Sequence, residues 1–280
     1  MRAITIPQTI GIIGGHGQFG AWFRKLFEAR GVTTLVSDRG TALSNTDLAR
    51  QADAILIAVP IGMTDHVLRE IEPLLAPGQT VVDLTSVKTP FVPLLSKLPS
   101  GVLSLHPMFS PALPSAHGQA CLVCPVREGR HELFFRSLLE DAGVRLVTMS
   151  PEEHDRTMAI VQGMTHFQAI VAGHCMMELG FNPSESLAAA SPVYRMRLAM
   201  IGRILAQSPR LYAEIQIYNP YVQEILKALE RSTQVFASAI ERKDVEGFVA
   251  AFEAARAGLH GFEKVALEES NRVIAALGRS

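Results

Sequence analysis

Cysteine is scarce in this chain. Cys121, Cys124 and Cys175 are the three present, too few for a disulfide framework. The Cys121-x-x-Cys124 pair has no second pair to complete a zinc site. Its strand-like setting, Ala120-Cys121-Leu122-Val123-Cys124-Pro125, reads as two buried thiols in a reducing compartment. An excess of charge of either sign is lacking too. The net charge is −1, with no long basic or acidic run. That argues against a nucleic-acid or membrane-surface partner, yet leaves room for a small anionic substrate, which needs only one or two placed cations. No apolar run reaches the ~20 residues that cross a bilayer. The N-terminus lacks the charged-then-apolar pattern of a secretion signal, so the expected location is cytoplasmic. Internal repeats and low-complexity tracts are absent.

What is present is a well-buried globular composition, 48% hydrophobic and 19% charged over 280 residues, long enough for two domains. The first half is organised around Gly11-Ile12-Ile13-Gly14-Gly15-His16-Gly17-Gln18-Phe19-Gly20. An apolar strand leads into Gly15-x-Gly17-x-x-Gly20, and a helical stretch follows. This is the strand, turn and helix start that hold a dinucleotide pyrophosphate. Gly15 is expected to permit the turn, Gly17 the close approach of phosphate, and Gly20 the packing of helix on strand. His16 is expected to sit near the pyrophosphate. The helix N-terminus offers unpaired N–H groups and the positive end of its dipole. A second strand, 32–37, ends at Asp38, 18 residues past Gly20, where a carboxylate hydrogen-bonds adenosine ribose hydroxyls. Asp38 favours NAD over NADP, although Arg39 beside it is able to receive an extra phosphate.

Apolar runs continue through Ala54–Pro60, Thr80–Leu84, Val102–Pro107, Gln119–Cys124 and Arg145–Thr148, with helical stretches between most of them. That alternation predicts a Rossmann-type doubly wound parallel sheet with right-handed crossovers. The pattern changes at Ser150-Pro151-Glu152-Glu153, a capping box. From there to the end only helical patterns appear. The division predicted is a dinucleotide-binding domain, 1–150, and an all-α substrate and dimerisation domain, 151–280. Residues 158–179 are apolar almost all round, which predicts a buried helix. Later helices are expected near 184–206, 209–240, 244–257 and 258–277, with interruptions. So much apolar surface in so few residues predicts a homodimer through this half.

Ligands of such sheets bind outside the carboxyl ends of the strands. Three of these ends carry chemistry. Val59-Pro60-Ile61 would pass near a nicotinamide. Asp83-Leu84-Thr85-Ser86-Val87-Lys88 supplies hydroxyls and an amine. Ser104-Leu105-His106-Pro107 ends in an imidazole where a proton acceptor is needed. In the helical half, Arg203 lies among apolar neighbours with no acid three or four residues away on its own helix. A guanidinium so placed either reaches water or meets an anion, and a substrate carboxylate suits its fork. Gln162 and His166 share a helix and are candidates to line the cleft, or are satisfied polar groups of the core. His117, His131, His174 and His260 read as surface or loop residues. No histidine spacing suggests a metal.

These pieces together resemble the prephenate dehydrogenase family. The match carries through Gly14–Gly20, Val59-Pro60-Ile61, Asp83–Lys88, His106-Pro107-Met108-Phe109, Glu153-His154-Asp155 with Gln162 and His166, and the block from Ser191 to Arg203. It looks closest to the dehydrogenase part of the bifunctional chorismate mutase–prephenate dehydrogenase. The resemblance implies NAD-dependent oxidative decarboxylation of prephenate to 4-hydroxyphenylpyruvate in tyrosine biosynthesis. It further implies that His106 accepts the proton of the ring hydroxyl, that Ser86 positions that hydroxyl, and that Arg203 binds a carboxylate. Ser110 stands where the family usually has glycine, in a proline-rich loop, so arogenate and 4-amino-4-deoxyprephenate stay open as substrates. A silent NAD-binding sensor or scaffold is a more distant alternative. No mutase segment and no regulatory domain are expected, so any tyrosine feedback would act at the active site or the dimer interface. Related β-hydroxyacid dehydrogenases would want a catalytic lysine, and none lies between Ser150 and Leu226.

Overall fold

The computed structural model describes residues 3–277. They form two compact units. One runs to Met158 and takes back Ala213–Pro220; the other comprises Ala159–Tyr212 and the chain from Tyr221 onward.

The first unit begins with β1 (Thr9–Ile13), α1 (Gln18–Ala29), β2 (Thr33–Ser37), α2 (Asn45–Gln51), β3 (Ala54–Ile57), α3 (Thr64–Ile71) and β4 (Thr80–Asp83). It continues with the short α4 (Val92–Leu95), β5 (Gly101–Pro107), β6 (Ala120–Arg127), α5 (Glu132–Asp141), β7 (Arg145–Thr148) and α6 (Pro151–Met158). The strands make one sheet in the order β2-β1-β3-β4-β5-β6-β7. β2 and β3 flank β1, so the connections leave β1 in opposite directions and open a crevice at its carboxyl end.

Every strand pair is parallel except β5–β6. That departs from the uniformly parallel sheet expected. A parallel pair needs a crossover of a dozen residues or more, usually helical. Between β5 and β6 the chain has only the proline-containing loop Met108–Gln119, without a helix, so it folds straight back.

Alternation along the strands sends side chains to two cores. Ile10, Ile12, Leu56, Leu103 and Leu105 pack with Phe23, Phe27, Phe134 and Phe135 of α1 and α5. Ile13, Ile55, Ile57 and Val102 pack with Leu48 of α2 and Val67 and Leu68 of α3. Both faces of the sheet are therefore covered, which is why β3 reads as an unbroken apolar run and β5 is buried along its whole length. Each fully buried side chain of this size contributes about 1.5–3 kcal/mol. The two-residue period places His106 on the face opposite Leu105.

The capping box at the start of α6 forms as expected: Glu153 N–H donates to Ser150 Oγ (3.2 Å) and Ser150 N–H to Glu153 Oε2 (2.8 Å). The second unit is helical. A π-helical turn, Ala159–Met164, leads into α7 (Thr165–Glu178), α8 (Pro183–Leu187), α9 (Pro192–Leu205) and α10 (Pro209–Tyr218), the last of which passes into the first unit. α11 (Val222–Glu241), α12 (Val245–Gly258) and α13 (Phe262–Leu277) follow. α7 packs on α9, and α11 packs on the π-turn and on α12. The stretch 158–179 is not the buried helix expected. It is broken by the π-turn, and α7 has no buried residue. Several of its apolar side chains, Val171 and Met177 among them, are exposed in the single chain.

Candidate active site

The crevice at the end of β1 is built by glycine. Gly14 has φ +82°, a left-handed conformation that costs a Cβ-bearing residue about 1 kcal/mol or more, so it makes the turn that the sequence suggested for Gly15. Gly15 is needed for space instead: a Cβ there would lie 2.6 Å from Val36 Cγ1. At Gly20 a Cβ would strike the Gly14 carbonyl and sit 2.8 Å from the Gly15 Cα, so only glycine lets α1 seat against the turn. Gly17 is the N-cap of α1 and offers no side chain to its N–H groups; no acid occupies the first turn. An anion is the complement of such a terminus.

The crevice measures about 870 Å³ and is lined by His16, Gly17, Asp38, Arg39, Val59 and Pro60 among others. That volume falls in the usual range for ligand sites. Asp38 stands at the end of β2, where its Oδ2 accepts from the His16 backbone N–H (2.9 Å) and its Oδ1 from the Arg39 N–H (2.7 Å). Gln18 is the exposed first residue of α1. Phe19 turns away to pack edge-on against Phe109, ring centroids 5.9 Å apart; it supports the loop from behind. The loop after Pro60 is held by Glu214, whose Oε2 accepts from the Gly62 N–H (3.1 Å).

β4 and β5 are parallel neighbours, so the bend carrying half-buried Ser86 and the end of β5 carrying His106 lie on the same sheet edge as the crevice. The amine at Lys88, expected from the sequence to be available chemistry, goes inward. It is buried, with Nζ 3.2 Å from Asp83 Oδ1 and 2.8 Å from the Leu105 carbonyl. Asp83 also accepts from Thr85 N–H and Oγ, which ties the bend together.

His106 is buried, and its Nδ1 lies 2.9 Å from Nε2 of His154, also buried. His154 Nδ1 in turn lies 2.7 Å from Asp155 Oδ1. The Asp155 carboxylate further accepts from the backbone N–H groups of Lys88 (2.9 Å) and Thr89 (2.7 Å). Burial, then the nearby His154 and Lys88, hold the His106 pKa well below the ordinary histidine value. Burial also lowers His154, although the Asp155 hydrogen bond partly offsets it. Burial alone would raise Asp155; hydrogen bonds from His154, Thr89 and Lys88 outweigh it and hold the carboxyl below its usual range. Sequence reasoning missed this chain of three. The available signal was an adjacent His-Asp pair just after the first acidic residues of a capped helix.

Cys121 and Cys124 are buried free thiols whose pKa values burial pushes up to about 12, so neither is a nucleophile at neutral pH. His131, expected as a surface or loop residue, lies at the turn before α5 but is buried: its backbone N–H donates to Thr80 Oγ1 (3.3 Å), at the end of β4 opposite Ser86.

In the helical unit, Gln162 lies on the π-turn and His166 on the first turn of α7. π-turns recur at functional sites. The His166 ring meets Tyr212 edge-on at 4.6 Å, and burial lowers its pKa. Arg203, in the last turn of α9, is exposed, so the cost expected of a buried guanidinium does not arise. It lies close enough to Tyr212 to oppose the rise that burial gives that phenol's pKa. The first unit thus carries the glycine loop, Asp38, Val59, Pro60, Ser86 and His106; the second brings His166 and Arg203 to Tyr212 and carries Gln162 on the π-turn.

Two family models cover most of the chain: the prephenate dehydrogenase nucleotide-binding domain over residues 27–132 and the prephenate dehydrogenase dimerization domain over residues 150–254. The chain belongs to the prephenate dehydrogenase family. It is 34% identical over 261 residues to the "Probable arogenate/prephenate dehydrogenase" of Methanocaldococcus jannaschii, covering 86% of this chain and 58% of that protein. It is 30% identical over 267 residues to the T-protein of Haemophilus influenzae, covering 94% of this chain and 70% of that one. The chain therefore spans between about half and three quarters of the length of these relatives. The crystal structure of prephenate dehydrogenase from Aquifex aeolicus, in complex with hydroxyphenyl propionate and NAD+, shares the fold with a TM-score of 0.71 at 19% identity, over 92% of this chain and 98% of that one. Among the described residues, no helix is long and apolar enough to cross a membrane.

Proposed function

We propose that this chain is an NAD-dependent dehydrogenase that oxidatively decarboxylates prephenate to 4-hydroxyphenylpyruvate. One observation carries the reading: a buried imidazole at the carboxyl end of β5, on the same sheet edge as the glycine-built crevice and the Ser86 bend. Membership of the family supports it.

NAD fits the crevice, where side chains at Gly14, Gly15 and Gly20 would fill the turn. The loop from Gly15 through His16, Gly17, Gln18, Phe19 and Gly20 holds the pyrophosphate by its backbone. Asp38 takes the ribose hydroxyls, and Val59 and Pro60 flank the nicotinamide. When bound, NAD takes up the hydride. His106 accepts the proton of the ring hydroxyl as the hydride leaves the carbinol carbon. Loss of carbon dioxide leaves its electron pair in the ring, which becomes aromatic, and the ring oxygen recovers a proton as the phenol. Aromatisation supplies much of the driving force, so the protein chiefly holds geometry. The base contributes ~10²–10⁴-fold. Ser86 orients the hydroxyl, Arg203 holds a carboxylate, and Gln162 and His166 line the substrate's surroundings. Residues 1–150 serve the cofactor, and 151–280 the substrate and a homodimer interface; the setting is the cytoplasm.

A second reading keeps the chemistry and changes the substrate. Ser110 at the loop after β5, and a relative named for both arogenate and prephenate, favour testing it. Initial rates of NADH formation on prephenate, arogenate and 4-amino-4-deoxyprephenate, with NAD and with NADP, decide between them. Prephenate with NAD should give the highest kcat/KM. Arg203→Ala should raise KM with little change in kcat. No turnover of any of the three would leave a non-catalytic NAD-binding protein.

A further inference from the structure

To act as the base, His106 must be held in a form able to accept a proton. A neutral imidazole has two tautomers, and only the one with a bare nitrogen toward the substrate works as a base. Elimination along the buried chain leaves one of them. The Asp155 carboxylate accepts only, and it is already fixed by the backbone N–H groups of Lys88 and Thr89. His154 Nδ1, 2.7 Å from that carboxylate, must carry a proton, since a bare nitrogen there would face oxygen lone pairs. Neutral His154 then has a bare Nε2, which can only accept. His106 Nδ1, 2.9 Å away, must donate, and the lone pair of His106 resides on Nε2.

We propose that His154 and Asp155 are positioning residues that lock His106 in the tautomer with its proton on Nδ1 and its lone pair on Nε2. Resting on the reading of His106 as the base, this gives the two residues a role in turnover. When His106 takes the substrate proton, the imidazolium is stabilised through Nδ1–H by His154 and, beyond it, by the Asp155 charge. Lys88 acts in the opposite sense. Paired with Asp83, it raises the cost of a second positive charge nearby, which favours release of the proton once chemistry is done. Cys121, on β6 across from the end of β5, stays a neutral thiol. The arrangement is the logic of a carboxylate orienting a catalytic imidazole, lengthened by one histidine.

A reversal follows in Asp155→Asn. There the amide oxygen is best placed to accept from the Lys88 and Thr89 N–H groups. Its NH₂ then points at His154 Nδ1 and donates to it. His154 must carry its proton on Nε2 and donate to His106 Nδ1, which puts the remaining proton on His106 Nε2. The test is histidine ¹⁵N NMR of the full-length protein, with His106 assigned by comparison with His106→Asn. Wild type should show a pyridine-type Nε2 and a pyrrole-type Nδ1 at His106, and Asp155→Asn the opposite pattern. Thermal unfolding checks that the variant is folded, and His154→Gln, whose side-chain oxygen is able to accept from His106, is the conservative rescue. With prephenate and NAD, kcat of Asp155→Asn should fall by about 10³–10⁴, by analogy with the wrong-tautomer loss in serine proteases, and His154→Gln should retain more activity than His154→Phe. A protonated Nε2 at His106 in wild type, or an unchanged pattern in folded Asp155→Asn, would overturn the proposal. Because the NMR readout needs no turnover, an enzyme inactive on every substrate would fail the functional reading alone.

Discussion

At the scale of single residues, the site depends on keeping two buried histidines neutral. His106 and His154 are both depressed by burial. In the unfolded chain each titrates near ~6.5. The unfolded state therefore binds protons first as pH falls, and folding stability declines below about pH 6.5, continuing until the folded-state values are reached. Each histidine that stays neutral contributes a slope of about 1.4 kcal/mol per pH unit in that window. The transition temperature should fall from about pH 7 to about pH 5, and His106→Asn should lose its share of the slope; a flat profile would remove the buried-neutral assignment. For the same reason the acid limb of kcat should lie below about pH 6.5. Lys88 shows what sequence could not say about a residue. Its position after a strand suggested available chemistry, whereas Asp83 and the Leu105 carbonyl draw the ammonium inside.

At the scale of elements, the local signals were legible and the long-range ones were not. The strand runs, the glycine spacing and the Ser150 capping box are written within a few residues of one another, and each forms where the pattern places it. Which glycine makes the turn depends on Val36 of the next strand and on Ala58 beside Gly14, contacts no window of sequence contains. The antiparallel β6 follows from a missing crossover helix, visible in the sequence only as a proline-containing loop. The His106–His154 contact spans 48 positions and arises only because α6 returns over the end of β5. The glycine turn makes a direct prediction. Gly20→Ala drives a methyl group into the Gly14 carbonyl and the Gly15 Cα. Overpacking of this kind costs about 1–3 kcal/mol. By calorimetric titration the variant should bind NAD roughly 5- to 150-fold more weakly, with Arg203→Ala as a control of unchanged NAD affinity. Equal affinity in Gly20→Ala would show that the loop does not hold the cofactor.

At the scale of the whole molecule, the helical unit leaves a large apolar surface bare in one chain. Val245, Phe248, Val249 and Phe252 of α12 are exposed, as are Phe262, Val265 and Leu267 of α13. Exposure on this scale is unusual for a monomer, and residues 150–254 match a dimerization domain. The stretch 158–179 is thus as apolar as its pattern says, but a single chain buries only its start. Light scattering should give a dimer, and Phe252→Asp should shift it toward monomer; a wild-type monomer at micromolar concentration would contradict this. The proposed function centres on one chemical event, the removal of a hydroxyl proton at the end of β5. The most direct measurement of that event is kcat for His106→Asn on prephenate with saturating NAD. The introduced amide is able to donate to His154 as the imidazole does, so the fold and NAD binding should persist while kcat falls by about 10²–10⁴. A variant with wild-type kcat would mean that the proton leaves by another route and that His106 is not the base.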